Sequence, residues 1–368
     1  MTTTEQIPDS SNRLVSLDFM RGLIMVLLAL ESTGLYEHLE KASEGSFFIF
    51  FMHQFFHHPW HGLHFWDLIQ PGFMFIAGTA MALSLEKQRL KGVTWNQSFK
   101  KVLKRSLLLF SWGVLDYAVR GDHISFELWD VLTQLSFTTL VAFLIFRWNY
   151  TSQIIVCVLL LLLTEVLYRF TNVPGFSQPF VNQHNFGNYM DHVLMNKINV
   201  SGWVAINCIP TAVHTIAGAV AGKLLLRTRK VKWLIVWGVI TLIAGFLLDM
   251  SNVTPIIKKI ATSSFTLASL GWCLLALALI YWWIDIKDHK KNLSFFTIVG
   301  MNSLFIYLFF EIVGSRWFNE WASVISNGLL SFISTPEMPK LIITSLFIFA
   351  LEWGMCYFLY RKKVFFRL

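Results

Sequence analysis

The chain has 368 residues, of which 55% are hydrophobic and only 14% are charged, and its mean hydropathy is +0.55. A soluble domain carries about 25% charged residues, so this composition excludes an ordinary soluble protein and indicates an integral membrane protein. The formal net charge of +8 comes from lysines and arginines divided among several loops, which argues against a nucleic-acid-binding patch.

Apolar stretches recur along the chain at about the 20 residues that a helix needs to cross the hydrocarbon core of a bilayer. They predict an all-α fold, a polytopic membrane helix bundle of about ten transmembrane helices. The predicted spans are 17–36, 65–85, 102–119, 128–147, 151–168, 203–226, 232–249, 263–284, 293–314 and 341–360. Residues 1–16 are a predicted cytoplasmic segment that is polar and resembles no cleaved signal, and residues 17–368 are one predicted transmembrane domain.

The distribution of lysine and arginine predicts the orientation, because cytoplasmic loops retain positive charge. With the N-terminus in the cytoplasm, 21 of the 30 lysines and arginines fall on the cytoplasmic side and eight on the other. Both termini are therefore predicted to be cytoplasmic, which agrees with an even number of spans. Five loops are then predicted to share the outer face: 37–64, 116–130, 169–202, 249–262 and 315–340.

The first predicted span contains charged side chains, which are costly inside a bilayer unless they pair or face a hydrated cavity. Asp18 and Arg21 are three residues apart and share one helix face. One interpretation is an ion pair that only orients the helix. The other is that Arg21 offers its guanidinium to a phosphate-bearing ligand from the cytoplasm, because its planar fork suits phosphate oxygens. Lys104 and Arg105 could join such a site, although they also fit simple membrane anchoring.

Five of the eleven histidines lie between residues 53 and 64, just before the second predicted span. Imidazole has an unperturbed pKa of about 6.5 and exchanges protons near neutrality, so the cluster suggests proton transfer, acyl transfer or metal binding. His53, His57 and His61 have the spacing of a helical zinc site. Pro59 disfavours that helix, so metal binding is the less favoured interpretation.

Two interpretations of the histidine segment remain. The imidazoles and neighbouring tryptophans could anchor the chain at the membrane interface. The favoured interpretation is catalysis, in which one histidine acts as a base or nucleophile and is steered by a carboxylate such as Glu31 or Asp67.

Other parts of the sequence carry weaker signals. The loop 169–202 is rich in amides and aromatic rings, which suits sugar hydroxyls, but a structured connector explains it equally well. Residues 218–222 form a small-xxx-small stretch that favours close helix packing. The four cysteines lie singly in apolar spans and are expected to be buried free thiols.

Four segments also form an ordered set of motifs. They are residues 13–22 (RLVSLDFMRG), residues 57–63 (HHPWHGL) continuing to Asp67, Leu68 and Gly78, residues 300–303 (GMNS) with Tyr307 and Glu311, and residues 360–365 (YRKKVF). This set resembles the heparan-α-glucosaminide N-acetyltransferase family of transmembrane acyltransferases, in particular an uncharacterised bacterial branch. The resemblance covers nearly the whole chain.

The resemblance implies a multi-pass enzyme of the bacterial inner membrane that moves an acetyl group from cytosolic acetyl-CoA to an amino sugar or cell-envelope glycan on the far side. It implies acetyl-CoA as the acyl donor and no metal. The family's active histidine falls on His57. We expect the catalytic residues to be His57, Asp67 and Glu31, the residues that bind acetyl-CoA to be Arg21, Asp18, Asn302, Lys104 and Arg105, and those that bind the acceptor to be His58, Trp60, His61 and Glu311.

Two departures from the family pattern leave the acceptor open. Glu31 stands where the family's first helix commonly has an asparagine, and residues 199–202 (NVSG) replace an acidic stretch before the sixth span. The alternatives are an O-acyltransferase for a surface polysaccharide and a proton-coupled transporter that uses the carboxylates and histidines as a relay. Two further points stay open: whether His57 is itself acylated or acts as a base, and whether the protein forms a homodimer.

Overall fold

The computed structural model describes residues 14–119, 124–228, 230–332 and 336–366. Over these ranges the chain consists of helices and connecting loops and contains no strand, in agreement with the predicted all-α fold. Most of the predicted cytoplasmic segment 1–16 lies outside the described residues. So do four of the arginines counted for the orientation: Arg13, Arg120, Arg229 and Arg367.

Fifteen α-helices occur in the described ranges. They are α1 (Val15–Ser32), α2 (Leu35–Ala42), α3 (Ile49–Met52), α4 (Ile69–Leu90), α5 (Trp95–Ala118), α6 (Val131–Leu144), α7 (Tyr150–Phe170), α8 (Phe186–Met195), α9 (Cys208–Thr228), α10 (Lys232–Met250), α11 (Ser263–Tyr281), α12 (Ser294–Met301), α13 (Ser303–Leu308), α14 (Asn319–Leu330) and α15 (Glu337–Arg361). Short 3-10 turns precede α4 and α9, and π-helical segments follow α11 and α13.

Six helical segments of the described chain are long and apolar enough to cross a membrane. They are Phe65–Leu90, Tyr150–Phe170, Ala205–Thr228, Lys232–Met250, Ser263–Ile286 and Glu337–Arg361. A seventh span is formed if Ser294–Met301 and Ser303–Leu330 are taken together. The chain is thus a helical protein with several membrane-spanning segments.

The predicted span over 293–314 contains a bend that the sequence did not indicate, because the helix turns by 76° at Asn302. The Asn302 side chain is fully buried, and it donates to Val364 O at 3.1 Å and accepts from Phe366 N at 3.0 Å. The C-terminal segment therefore supplies the hydrogen-bond partners of the Asn302 side chain. The backbone of Asn302 departs from helical geometry, with φ −117° and ψ 32°.

Three further predicted spans correspond to helices α1, α5 and α6, which differ from the others in charge or length. Helix α1 carries Asp18, Arg21 and Glu31, and α5 carries several basic residues in its first half. Helix α6 has only 14 residues. Each of these three would need its neighbours to lie at membrane depth, because a lone helix of that charge or length would not span a bilayer.

Small residues set a close helix contact that joins α4 and α9. A methyl group added at Gly78 would lie 2.0 Å from the Thr215 carbonyl oxygen, and one added at Gly218 would lie 2.0 Å from the Phe75 carbonyl oxygen. The two backbones therefore touch without intervening side chains. The interpretation of residues 218–222 as a packing stretch is confirmed. The expectation of free cysteines is confirmed as well.

The loops predicted to share one face converge at one end of the bundle. Trp60 Nε1 donates to Phe180 O at 2.8 Å, and Gly62 N donates to Ile256 O at 2.9 Å. Asn319 Nδ2 donates to Ser32 O at 2.7 Å, which brings α14 to the end of α1. We call this end of the bundle the histidine face, because it carries residues 53–64.

We expect Gly78→Ala to lower the free energy of unfolding by about 1–3 kcal/mol, because the new methyl group overlaps the Thr215 backbone. Gly354→Ala in α15 is the matched control, since nothing lies within 4 Å of the position of its added methyl group. The measurement is the midpoint of thermal unfolding of both variants in detergent. Equal midpoints would show that the α4–α9 contact tolerates a side chain.

Candidate active site

Asp67 organises the histidine loop from its place at the start of the α4 span. Its carboxylate is fully buried. The Oδ2 atom accepts hydrogen bonds from the backbone N–H of His64 at 2.9 Å and of His58 at 3.3 Å. The irregular stretch between two 3-10 turns, His53–Phe55 and Phe65–Leu68, is therefore fixed by a side chain of the second turn.

The other oxygen of the same carboxylate holds His57. Asp67 Oδ1 lies 3.0 Å from His57 Nδ1. The His57 side chain is 39% exposed, whereas that of Asp67 is 1% exposed. In the described part of the chain, His57 Nε2 has no hydrogen-bond partner, so this nitrogen is the one that can meet a substrate.

Lys258, from the loop between α10 and α11, completes the cluster. Its Nζ atom lies 3.0 Å from His57 Nδ1 and 3.7 Å from Asp67 Oδ1. The side chain is 6% exposed, and its ammonium group lies 5.3 Å from the centre of the Trp203 ring. The edge of the same indole faces His57, with ring centres 5.7 Å apart.

Sequence reasoning missed both Lys258 and Trp203 as site residues. Lys258 was counted only as one of the lysines on the outer face. An adjacent pair, Lys258 and Lys259, in a short loop on the face that is otherwise poor in positive charge is the signal that could have identified it.

The surroundings set the charge state of the two basic groups. Burial, and next the positive charge of Lys258, lower the pKa of His57 to about 4, while the contact with Asp67 acts in the opposite direction. Burial also lowers the pKa of Lys258 to about 8, although the charges of Asp67 and Glu31 oppose this shift. At neutral pH, His57 is therefore uncharged and Lys258 is mostly protonated.

Glu31 lies beside this cluster and reaches it through a neighbour. Trp66 Nε1 donates to Glu31 Oε1 at 3.1 Å, and Trp66 directly precedes Asp67. Glu31 also interacts electrostatically with Lys258. The structure thus brings the three predicted catalytic residues together, with His57 and Asp67 in direct contact and Glu31 behind them.

The residues expected to bind the acceptor lie at different places. Trp60 and His61 join the histidine loop to other parts of the chain. Trp60 does so through its hydrogen bond to Phe180 O, and His61 through a contact of 2.7 Å between its Nε2 atom and Asp249 Oδ1. The His58 ring packs edge-on against His64, with centres 4.8 Å apart. His58 and His61 therefore flank His57 in the chain without touching its ring nitrogens.

Glu311 belongs to a different buried cluster. It lies in the π-helical segment Phe309–Phe318 and interacts electrostatically with Tyr307. The Tyr307 hydroxyl donates to Asp130 Oδ2 at 2.8 Å. Tyr307 of α13 therefore connects Glu311 to Asp130, the residue that precedes α6.

The histidines spaced four residues apart have separate partners. His53 Nε2 lies 3.4 Å from Glu40 Oε1, while His57 and His61 contact Asp67 and Asp249. Across the described residues, no group of three histidine, cysteine or acidic side chains has an arrangement that could hold a metal ion.

Arginines gather towards the opposite end of α1. Arg21 Nη1 lies 3.6 Å from Asp18 Oδ1, and Arg21 also interacts electrostatically with Arg105 of α5. Lys104, next to Arg105, has an exposed side chain. The like charges of the two guanidinium groups interact unfavourably, and an anion that contacted both would relieve this repulsion. We call Arg21 and Arg105 the arginine pair.

Two of the sequence motifs meet beside the arginine pair. A methyl group added at Gly22 would lie 1.9 Å from the Phe296 carbonyl oxygen, and one added at Gly300 would lie 2.4 Å from the Asp18 carbonyl oxygen. Helix α1 therefore touches α12 directly at Asp18–Arg21. Asn302 lies at the end of α12, where it binds the C-terminal segment.

Helix α1 connects the two sites. Arg21 and Glu31 are ten residues apart in this helix, which corresponds to about 15 Å along its axis. The arginine pair and the histidine cluster are therefore two separate places joined by one rigid element.

Comparison with known proteins gives two curated relatives. Heparan-alpha-glucosaminide N-acetyltransferase of Mus musculus is 23% identical over an alignment 426 residues long. This alignment covers 98% of this chain and 61% of the relative. The protein of the same name from Homo sapiens is 22% identical over 423 residues, which cover 97% of this chain and 60% of the relative. The chain thus spans about three fifths of the length of these relatives. No family model matches it. The resemblance seen in the motifs is confirmed, and the similarity supports membership of the chain in this family.

Proposed function

We propose that the protein is a membrane acetyltransferase that moves an acetyl group from acetyl-CoA to the amine of an amino sugar. The observation that carries this proposal is the exposed, uncharged His57, held by a buried carboxylate in a cluster beside Glu31, which lies about 15 Å along α1 from Arg21. The names of both relatives, N-acetyltransferases of heparan-alpha-glucosaminide, support the type of reaction and the class of acceptor.

The spacing of the two sites matches the shape of the donor. Acetyl-CoA carries its phosphates at one end and its thioester at the end of a long flexible arm. Arg21 and Arg105 would bind the phosphates, because guanidinium groups form paired hydrogen bonds with phosphate oxygens. The arm would then run alongside α1 and present the thioester carbonyl near His57.

The chemistry needs little beyond position and a proton acceptor. The thioester is already activated, so holding it beside the amine removes much of the entropic barrier. A bond forms between the acetyl carbon and the sugar nitrogen, the carbon–sulfur bond breaks, and the amine proton passes through His57 Nε2 to the departing thiolate. A route through acetylated His57 also starts from the neutral ring, so both routes use the protonation state described above.

We further propose that the bundle crosses the bacterial inner membrane ten times and that both termini lie in the cytoplasm. The histidine face would then be extracytoplasmic and the arginine pair cytoplasmic, so that acetyl groups move outward. The division of lysines and arginines, with 21 of 30 on one side, supports this orientation.

His57→Ala should lower the rate of acetyl transfer from acetyl-CoA to glucosamine by about 10²–10⁴-fold, because the proton acceptor is lost. The rate is measured with labelled acetyl-CoA and purified protein in lipid vesicles. His53→Ala is the control, since His53 lies in the same loop but contacts only Glu40 among the partners described. A His57→Ala rate above about a tenth of the wild-type rate would contradict the assignment.

Arg21→Lys should weaken CoA binding although the charge is kept, because the paired hydrogen bonds of the guanidinium are lost, and Arg21→Gln should weaken it more. CoA affinity is measured by calorimetry on the purified variants, and thermal stability is measured on the same samples. Lys91→Gln, at the exposed end of α4, is the control.

The competing view is that Arg21 only pairs with Asp18 to fix α1. In that case Asp18→Asn should reduce stability as much as Arg21→Gln does. Unchanged CoA affinity in Arg21→Gln would rule out the donor-binding role, whatever happens to stability.

The orientation can be tested with single cysteines at exposed positions. A membrane-impermeant maleimide added to intact spheroplasts should label Glu44→Cys and His184→Cys, and it should label Lys91→Cys and Lys291→Cys only after permeabilisation. All four positions are exposed, so burial cannot explain a missing signal. A reversed result at any one of them would contradict the ten-span topology.

A further inference from the structure

Lys258 is held rigidly in the loop that joins α10 and α11. Ala261 N donates to Lys258 O at 2.8 Å, and Thr262 closes the turn through its backbone and its hydroxyl, which both bond to Ile257. Ile256, Ile257 and Ile260 are each only 1% exposed, so they fix this turn in the core. The lysine side chain therefore starts from a fixed point and leads to the histidine cluster.

The surroundings of Lys258 contain charges from several elements. Asp67 approaches from the start of the α4 span, Glu31 interacts from α1, and Lys259 lies beside it in the same loop. His57 is its nearest titratable neighbour, at 3.0 Å. The ammonium group is thus placed between the carboxylate and the imidazole that the carboxylate holds.

A carboxylate next to an imidazole normally favours the charged imidazolium, since opposite charges attract. An imidazolium has no lone pair on Nε2 and cannot accept a proton or an acyl group. The ammonium group of Lys258, whose Nζ atom lies 3.0 Å from His57 Nδ1, opposes this protonation because like charges repel. The effect is strong here because both Lys258 and Asp67 are shielded from water.

We propose that Lys258 is a positioning residue whose buried ammonium group keeps His57 uncharged beside the Asp67 carboxylate. In this arrangement the Nδ1–H group donates to Asp67 and leaves the lone pair on Nε2, and Lys258 acts on the ring through its charge and not through a hydrogen bond to Nδ1. This inference rests on the proposed acetyl transfer for its meaning, but the charge of His57 can be measured without any reaction.

Lys259 provides a matched control within the same loop. Its Nζ atom donates to the Pro59 carbonyl oxygen at 2.9 Å, so it contacts the histidine loop but not the His57 ring. Replacing either lysine removes one positive charge from the same segment. Only the replacement of Lys258 removes the charge next to Nδ1.

The test compares Lys258→Met with Lys259→Met by the pH dependence of kcat/KM for acetyl transfer between pH 4 and 9. His57 is active when uncharged, so activity is lost as the pH falls through its pKa, which is about 4 with Lys258 in place. Without the ammonium group, that pKa rises and the acid limb moves to higher pH. We expect Lys258→Met to shift this limb upward by at least one pH unit, which corresponds to a loss of about fivefold or more relative to the wild type at pH 4, with little loss at pH 8.

A purely structural role for Lys258 predicts a different profile, in which Lys258→Met loses activity equally at every pH. That result, or an equal shift in Lys259→Met, would overturn the proposal. Lys258→Gln is the second variant in case the methionine variant folds poorly, because its amide keeps hydrogen bonding but has no charge. It should show the same upward shift.

The charge of His57 is also measured directly, by nitrogen NMR of ¹⁵N-histidine-labelled protein assigned with His57→Ala. The His57 signal should titrate at least one pH unit higher in Lys258→Met than in the wild type. This result would support the inference even if glucosamine proves not to be acetylated. Unchanged titration would refute it even if the enzyme is active.

Discussion

The arrangement of the histidine face depends on one buried carboxylate. A carboxylate without water is costly unless it is hydrogen-bonded and paired, so the chain around Asp67 must supply partners. Backbone amides of His58 and His64 satisfy one oxygen, and His57 and Lys258 face the other. Satisfying this single group folds the histidine loop onto the start of the α4 span and ties the α10–α11 loop to it. The positions of His57 and Lys258 therefore follow from the need to surround the buried Asp67 carboxylate with hydrogen-bond donors and positive charge.

Helix α1 fixes the separation between the two ends of the proposed reaction, the arginine pair and the histidine cluster. Its close approach to α12 at Gly22 leaves no space for sliding, because backbone meets backbone there. Arg21 is thus fixed near Arg105 at one end, while Glu31 is fixed to Trp66 at the other. A donor that bound the arginine pair would therefore have a constant distance to Glu31, beside the histidine cluster, since a helix is stiff along its axis. Such a constant distance is what positioning catalysis requires.

Hydropathy and charge spacing were sufficient to predict the helical fold and two of the close contacts in the candidate site. The pairing of His57 with Asp67 follows from their place in one short segment, and that of Asp18 with Arg21 follows from helical spacing. Lys258 could not be predicted in the same way, because it meets His57 across 201 positions of the chain. The bend at Asn302 was missed for the same reason, since its partners lie 62 and 64 residues further on. Local patterns show which residues are reactive, but contacts between distant loops decide which of them meet.

The unequal exposure of the cluster explains how its charges can control chemistry in an open loop. The side chains of Asp67 and Lys258 are 1% and 6% exposed, whereas His57 is 39% exposed. Electrostatic interactions weaken sharply in water, so a carboxylate or an ammonium group in solvent would have little influence on the ring. Here both charges act from within the protein on one side of the imidazole, and the other side is open to an acceptor. The ring therefore has a protonation state set by the protein, and it remains open on the side where the proposed reaction would take place.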